Sequence, residues 1–494
     1  MLPKNLKYGS KVESSLARSY RTNIAPMNGT GPYQLGDTVI INIPTRANLV
    51  MVPTESYLKF NLQPITATGV ANSGTALRFD SCGAHGLFSR IRIFHGSNLL
   101  EDIDSYGLLA KMMFDLQVSP DQAYGRFNML AGTRNDTVTV LPSLVAADLT
   151  NNISLSNALA SQNLSSIQVN SGELLKSGVH NLVRTGESST VQTYCLNLVS
   201  LVGTLCSQNY LPLFAMTSAP LRVELTLVDT LTKAINVTIG TKSVIAPSTD
   251  DAAAAPPTLA NGIITNVEYI GNFIELGDAA IAMIYESLQG SPLQFVIPSY
   301  RNYQGGGQLT AAANTQLAIP IPAKFSSLKS LLLAFRNTAQ INTASFFPYS
   351  SCRSGIVDYQ FRIGSNVMPA KAPNTVCEMF AEALKAMGSM SDLNYEPAID
   401  KDTYSLNANI PNEQINEKHG ASRISSGSFY LGLDLENYSG ASKDTIFAGW
   451  NSNTDDIFAM VNFVAPATYT LRVDTFAMFD AVLVCENNTC FVRF

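Results

Sequence analysis

Ile41-Asn42-Ile43-Pro44 returns later in the same chain as Ile319-Pro320-Ile321-Pro322. Each copy is followed by an apolar stretch, residues 57–62 after the first and 331–335 after the second. Next, Arg92-Ile93-Phe94-His95-Gly96-Ser97-Asn98 is echoed by Arg362-Ile363-Gly364-Ser365-Asn366, and each of these leads into a segment with helical spacing. Leu221-Arg222-Val223-Glu224 is echoed last, by Leu471-Arg472-Val473-Asp474. One short match would carry little weight. Several in the same order, at offsets that drift along the chain, imply a duplicated unit. That unit is far longer than a solenoid repeat or a propeller blade and has the size of a whole domain.

Within each unit the dominant period is two. Val39, Ile41 and Ile43 share one face, and Leu58, Phe60 and Leu62 alternate with Tyr57, Lys59 and Asn61. Leu221, Val223, Leu225 and Leu227 alternate with polar residues, as do Leu431, Leu433 and Leu435 with Tyr430, Gly432 and Asp434. Such segments predict half-buried antiparallel strands. Helical spacing is confined to residues 104–118, 278–287 and 375–387. In the last of these Thr375 and Glu378 fit a capping box and Gly388 a C-cap. The expected organisation is an N-terminal arm (1–30), a first β-domain (31–275), a linker helix (276–287) and a second β-domain (288–494). Each domain has room for eight strands, as in a jelly roll.

Charged residues make up 14% of the 494-residue chain, against ~25% in ordinary domains. Small polar residues take their place, which suits strands, turns and wide contact surfaces. The net charge of -6 excludes a global basic field able to wrap nucleic acid. The exception is the N-terminal stretch, where Lys4, Lys7, Lys11, Arg18 and Arg21 face the single acid Glu13. It reads either as a frayed solvated terminus or as an assembly arm that docks on a neighbouring subunit or an anionic interior. Residues 149–169 and 188–221 carry no charge and are read as loops or strands packed against other subunits; 242–262 reads as an exposed loop or linker.

Signals of chemistry are sparse. The four histidines, His85, His95, His180 and His419, show no metal-ligand spacing, and no nucleophile elbow, Walker motif or dinucleotide fingerprint occurs. No catalytic, cofactor-binding or metal site is therefore expected. Gly305-Gly306-Gly307 reads as a flexible loop. Glu101, Asp102 and Asp104 precede the first helix and read as its caps, and Asp400 with Asp402 and Asp455 with Asp456 as polar turns. Seven cysteines show no CxxC pair. Cys485 and Cys490 flank a turn and lie close enough to pair across a hairpin, but an intracellular setting favours two reduced thiols.

The chain resembles the double-jelly-roll major capsid proteins of the adenovirus, tectivirus and large-DNA-virus lineage, with the flavour of Polinton-like viruses and virophages. Carrying the resemblance are Ser89-Arg90-Ile91-Arg92-Ile93 with Gly96-Ser97, Leu211-Pro212-Leu213 before Pro220-Leu221-Arg222-Val223-Glu224, Val267-Glu268-Tyr269 with Ile274-Glu275-Leu276, and, in the second half, Phe361–Ser365 and Asp480–Val484. The resemblance implies an all-β fold of two tandem eight-stranded jelly rolls with a few short helices. It implies a homotrimer of pseudo-sixfold outline that tiles an icosahedral virion shell and is assembled inside the host cell. Its expected partners are neighbouring capsomers and minor capsid or penton proteins, with genome or internal-membrane contact through the arm. The competing reading is a tandem β-sandwich that binds or hydrolyses carbohydrate, which requires an exposed aromatic platform or converging acids in a groove. The single Trp450 weighs against that platform.

Overall fold

The computed structural model describes residues 17–66, 76–119, 122–123, 125–132, 191–206, 210–238, 259–341, 346–387, 397, 399, 401–408, 426–437 and 449–494. Lys4, Lys7, Lys11, His180, His419, Gly388, Asp400, residues 149–169 and residues 242–258 lie outside them.

In the first half the strands are β1 (Ala17–Ile24), β2 (Tyr33–Gln34), β3 (Thr38–Ile43), β4 (Leu49–Thr66), β5 (Ala76–Phe79), β6 (Phe88–His95), β7 (Asn98–Asp104), β8 (Gln192–Leu196), β9 (Leu221–Leu227), β10 (Ile235–Thr238) and β11 (Leu259–Leu276). They form two facing sheets, ordered β1-β11-β4-β8 and β3-β9-β6-β7, with β2 beside β11 and β5 paired to β10. The second half holds β12 (Leu293–Leu309), β13 (Asn314–Ile321), β14 (Leu328–Asn337), β15 (Ile356–Ile363), β16 (Asn366–Met368), β17 (Tyr430–Asp434), β18 (Ile457–Val464), β19 (Tyr469–Glu486) and β20 (Thr489–Arg493). Its sheets run β12-β19-β14-β17 and β13-β18-β15-β16, with β20 on β19.

Numbering the eight principal strands of each half in chain order gives the same pair of sheet orders twice, 1-8-3-6 and 2-7-4-5. This is the jelly-roll wiring, in which strands pair across long connections and the inner faces of two sheets share one core. The alternation read from sequence supplies those faces. Val39, Ile41, Ile43, Leu58, Phe60, Leu62 and all four leucine-or-valine positions of β9 are buried. Phe60 meets Phe88 edge-on at 5.7 Å between ring centres.

The duplication is visible at matched places. The Ile41 and Ile319 phrases lie on the second strand of each half, β3 and β13. The Gly96 and Gly364 turns join the fourth strand to the fifth in each, with φ of 60° and 58°. The last sequence echo does not hold. Leu221–Glu224 lies on β9, the seventh strand, whereas Leu471–Asp474 lies on β19, the eighth. Their likeness reflects a local need shared by both strands, an arginine two residues from the acid it pairs with.

Besides short 3-10 turns, the described helices include α1 (Tyr106–Gln117), α2 (Arg126–Ala131), α3 (Asp278–Leu288), α4 (Val376–Ala386) and α5 (Lys401–Ser405). α1 and α4 occupy the same place in each half, between the fifth and sixth strands. Thr375 caps α4, its Oγ1 accepting from the Glu378 N–H at 3.2 Å. α3 joins the two halves.

Four expectations are corrected. Residues 17–24, expected within a free arm, form β1, hydrogen-bonded along β11 from Ala17 opposite Leu276 to Ile24 opposite Tyr269. The first jelly roll therefore starts with its outermost strand at Ala17. Gly305-Gly306-Gly307 is not a loop but the end of β12, paired to Val473, Arg472 and Leu471 of β19. A Cβ on Gly305 or Gly307 would sit 2.6 Å from Ile319 or 2.8 Å from Leu317, so the glycines let β13 pass close over β12. β17 is not half-buried: one face meets the sandwich core and the other meets α4, so near that a Cβ on Gly432 would lie 2.7 Å from the Ala383 Cα. Finally, the uncharged stretch 188–221 is not reserved for other subunits in its described part. Leu198, Val199, Leu201, Val202 and Leu211–Met216 are buried within this chain.

Candidate functional site

The two jelly rolls meet along a seam that is polar at its centre. α1 lies inside it, buried on every side except at Met113 and Gln117. Lys111, on α1, is fully enclosed and holds two carboxylates of the first half, Asp80 at 3.1 Å and Asp115 at 3.0 Å. The second half closes the group with hydroxyls. Ser428 and Tyr430 each donate to Asp115 Oδ2 at 2.8 Å, and Ser426 donates to Asp80 Oδ2 at 2.9 Å. Ser81 donates to Asp115 Oδ1 at 2.7 Å and accepts from Lys111 at 2.9 Å. Burial alone would push the Lys111 ammonium toward neutrality, but Asp115 and Asp80 outweigh it and hold the pKa above the usual lysine value. Every charge here has partners, which is the condition under which a buried ionic group is tolerated.

Further contacts run along the same seam. Tyr349 donates to the Gly86 carbonyl at 2.7 Å, and its ring fills the space a Cβ would need on Gly86 and Gly107. Arg472 reaches Ser105 Oγ, and Gln304 reaches Asp104. The β19–β20 hairpin docks on the first half: the Cys490 N–H donates to His95 Nδ1 at 3.1 Å, and Asn98 donates to the Cys490 carbonyl at 3.1 Å. That hairpin carries a disulfide between Cys485 and Cys490, against the expectation of two thiols. Asn487 and Asn488, both at positive φ, make the two-residue turn that sets the cysteines directly opposite each other.

The acids expected to cap α1 do something else. Ser105 is the N-cap and makes no side-chain cap bond, and the three acids belong to β7. Asp102 receives a two-pronged Arg90 guanidinium at 2.7 and 2.8 Å. Glu101 points into the core, where its Oε2 accepts from the Leu201 N–H at 2.9 Å and its Oε1 has no partner. Burial is the main reason its pKa is raised to about 8, with Asp102 adding to the rise and the Leu201 bond opposing it. Beside it the Tyr106 hydroxyl shares a hydrogen bond with His85 Nδ1 at 2.8 Å and accepts from the Val199 N–H at 3.0 Å. Burial drops the His85 pKa to about 3, so the ring is neutral. Glu101 and Tyr106 together pin the buried turn that contains Val199 and Leu201. These roles left no trace in the sequence, because the groups that Glu101 and Tyr106 hold lie about a hundred positions away.

The described polar groups of the seam are spent on one another. Among the described residues no cluster of three metal-ligating side chains occurs. His95 is spent on the seam, its Nε2 donating to the Met216 carbonyl at 3.1 Å. Asp456 pairs with Lys324 at 3.0 Å and Asp455 accepts from Trp450 Nε1 at 3.0 Å, so Trp450 is tied down at the sheet end rather than displayed as a platform. A cavity of about 150 Å³ in the second half is lined by Phe335, Phe347 and Tyr469, with Arg336 bound to Asp474 at its edge. An open groove of about 300 Å³ runs beside β1, between Arg18, Tyr20, Arg46 and Phe273. Of the five basic arm residues, Arg18 and Arg21 thus belong to the first sheet; Arg21 lies over the Tyr57 ring at 5.8 Å.

No protein-family model and no curated protein matches this sequence. Solved structures do match its shape along its whole length. PBCV-1 VP54, as fitted into a reconstruction of the virophage Sputnik, superposes with a TM-score of 0.55 at 8% identity, covering 98% of each chain. A chain of the Sputnik virophage gives 0.54 at 9% identity, over 100% of this chain and 92% of that one. The mavirus major capsid protein gives 0.53 at 9% identity, over 99% and 93%. The fold is a double jelly roll. At such identities the likeness is one of architecture, and the seam residues have to be judged on their own chemistry. In this double jelly roll the charged centre, Tyr349 and the docked hairpin hold the second sandwich against the first.

Proposed function

We propose that the chain is a major capsid protein, the structural subunit of an icosahedral virion shell, and that its role is not catalytic. The observation that carries this reading is the doubled sheet order, wired identically in both halves and superposing end to end on solved capsid chains. Two similar sandwiches locked side by side let three chains present six similar edges, so a trimer of pseudo-sixfold outline packs like a hexagonal tile. Shell proteins need wide heterologous contacts that close into rings, and low charge with abundant small polar residues suits such surfaces.

Light scattering on the purified protein tests the reading. The expected species is about 160 kDa, three times the 53.2 kDa of one chain. A monomer that forms no particles under any assembly condition would overturn it.

The basic N-terminal segment is proposed to act in assembly, through Lys4, Lys7 and Lys11, with contact to a neighbouring capsomer, a minor protein, the genome or an internal membrane. Because β1 starts at Ala17, the informative truncation removes residues 1–16 and spares the strand. The truncated chain is expected to keep its trimer and its melting transition while losing closed shells in electron micrographs; full yield of shells would remove the arm from the assembly pathway.

A further inference from the structure

β1 begins at Ala17, directly opposite Leu276 of β11, and one glycine beyond Leu276 the chain enters α3. Residues 1–16, which lie outside the described residues, are therefore tethered at the foot of that helix. None of the eleven residues of α3 is buried. Ala280, Ile281, Ile284 and Leu288 are half-buried, and Tyr285 meets Phe214 edge-on at 5.9 Å. The outer stripe, Ala279, Ala282, Met283 and Glu286, recurs at helical spacing and stands in water, with Met283 65% exposed. The charged residues of α3 are Asp278 and Glu286, with no lysine or arginine among them. The helix thus offers an apolar stripe bounded by acids and left without a cover.

We propose that residues 1–16 fold back on α3 of their own chain and cover this stripe, so that α3 is the resting place of the basic arm before assembly. Reach is ample. Sixteen residues extend to roughly 50 Å, whereas an eleven-residue helix is about 16 Å long. The chemistry matches as well. The segment carries Leu2, Leu6 and Val12 for the apolar stripe, and Lys4, Lys7 and Lys11 against the single acid Glu13 for Asp278 and Glu286. The other open surface at the same place repels it. The groove beside β1 displays Arg18 and Arg46, and its acid, Glu275, is already taken by Asn48 at 2.8 Å. A nucleic acid or an anionic lipid surface is a poorer occupant of α3, because it would bring negative charge against two carboxylates. Docking on an exposed helix leaves both cores untouched, so loss of the arm leaves the melting transition in place. Whatever the arm engages during assembly must then compete with α3, which holds the arm back until that partner arrives. Only this consequence rests on the assembly role proposed for the arm; the docking itself does not require a shell.

Carbodiimide cross-linking of the full chain tests the docking, since the reagent joins a lysine amine to an adjacent carboxylate as an amide. Peptide mass spectrometry of the denatured band at 53.2 kDa is expected to find Lys4, Lys7 or Lys11 joined to Asp278 or Glu286. Met283→Lys puts a charge of the arm's own sign on the exposed stripe and removes no carboxylate. It is expected to cut the yield of those links several-fold with an unchanged circular dichroism spectrum. Where Met283→Lys does not fold, Ala282→Lys on the same stripe decides in its place. Equal yields in variant and wild type would mean chance collisions of a free arm and overturn the proposal, as would the absence of such links in wild type. Links confined to a band of twice that mass would place the arm on a neighbouring copy and overturn it too. None of these outcomes bears on the shell reading, which the solution mass of the untreated protein decides separately.

Discussion

Lys111→Ala is expected to destabilise the folded chain by about 3–5 kcal/mol, the range found when one partner of a buried ion pair is removed and the other is left without a counter-charge. Here the loss is sharper than in a simple pair, because one ammonium serves two carboxylates. Removing it strands Asp80 and Asp115, both enclosed, on the same side of the seam. The hydroxyls of Ser426, Ser428 and Tyr430 can still donate, but no net charge compensates. The carboxylates then either take up protons or draw water into the seam, and both responses loosen the second jelly roll from the first. The melting transition should fall and separate into two steps as the halves lose their coupling. Ser428→Ala is the calibrating variant. It removes one hydroxyl from the network and should cost about 1 kcal/mol. Calorimetry on both variants checks the account; a Lys111→Ala protein that melts together with Ser428→Ala would show that the seam is wet and the charges are solvated.

Much of the architecture could be read before any coordinates, for a physical reason. A strand with one face on the core must alternate, and β3, β9 and residues 57–63 of β4 do so without interruption. What escaped the sequence reading was set by partners far along the chain. β1 runs Ala-Arg-Ser-Tyr-Arg-Thr-Asn-Ile and buries none of its side chains fully. As an outer strand it is held by main-chain bonds to β11, which leave no apolar signature, and its arginines made it look like part of a solvated arm. β17 alternates cleanly, yet α4 covers the face that the pattern assigned to water. Lys111 and Asp115 stand four residues apart on a helix, a spacing that ordinarily marks an exposed ion pair. Only the approach of the second jelly roll turns that exposed face into the seam. The glycine run misled for the same reason, since close passage of β13 over β12 is a property of the pair and not of either segment.

Glu101 should make the protein lose stability as pH rises from about 4.5 to about 8. In the unfolded chain the carboxyl ionises near 4.5, whereas in the fold burial keeps it protonated up to about 8. Between these values the folded state therefore holds a proton that the unfolded state has released, and stability must fall with increasing pH across that window. Below the window both states are protonated, above it both are ionised, and the slope vanishes. At 1.36 kcal/mol per unit the accumulated loss is on the order of 3–5 kcal/mol. Glu101→Gln isolates this contribution from every other titrating group. The amide oxygen can accept from the Leu201 N–H as the carboxyl does, but the side chain cannot ionise. The stability difference between variant and wild type should be near zero at pH 4.5, grow through neutrality in favour of the variant, and level off above pH 8. Denaturant unfolding of the two proteins across pH gives that difference directly. A difference that stays flat would mean that Glu101 is ionised in the folded protein with a cation at its open Oε1. A difference of the predicted sign would mean that Glu101 stays protonated in the folded protein at neutral pH, and that burying its ionised form is what costs the fold stability across the window.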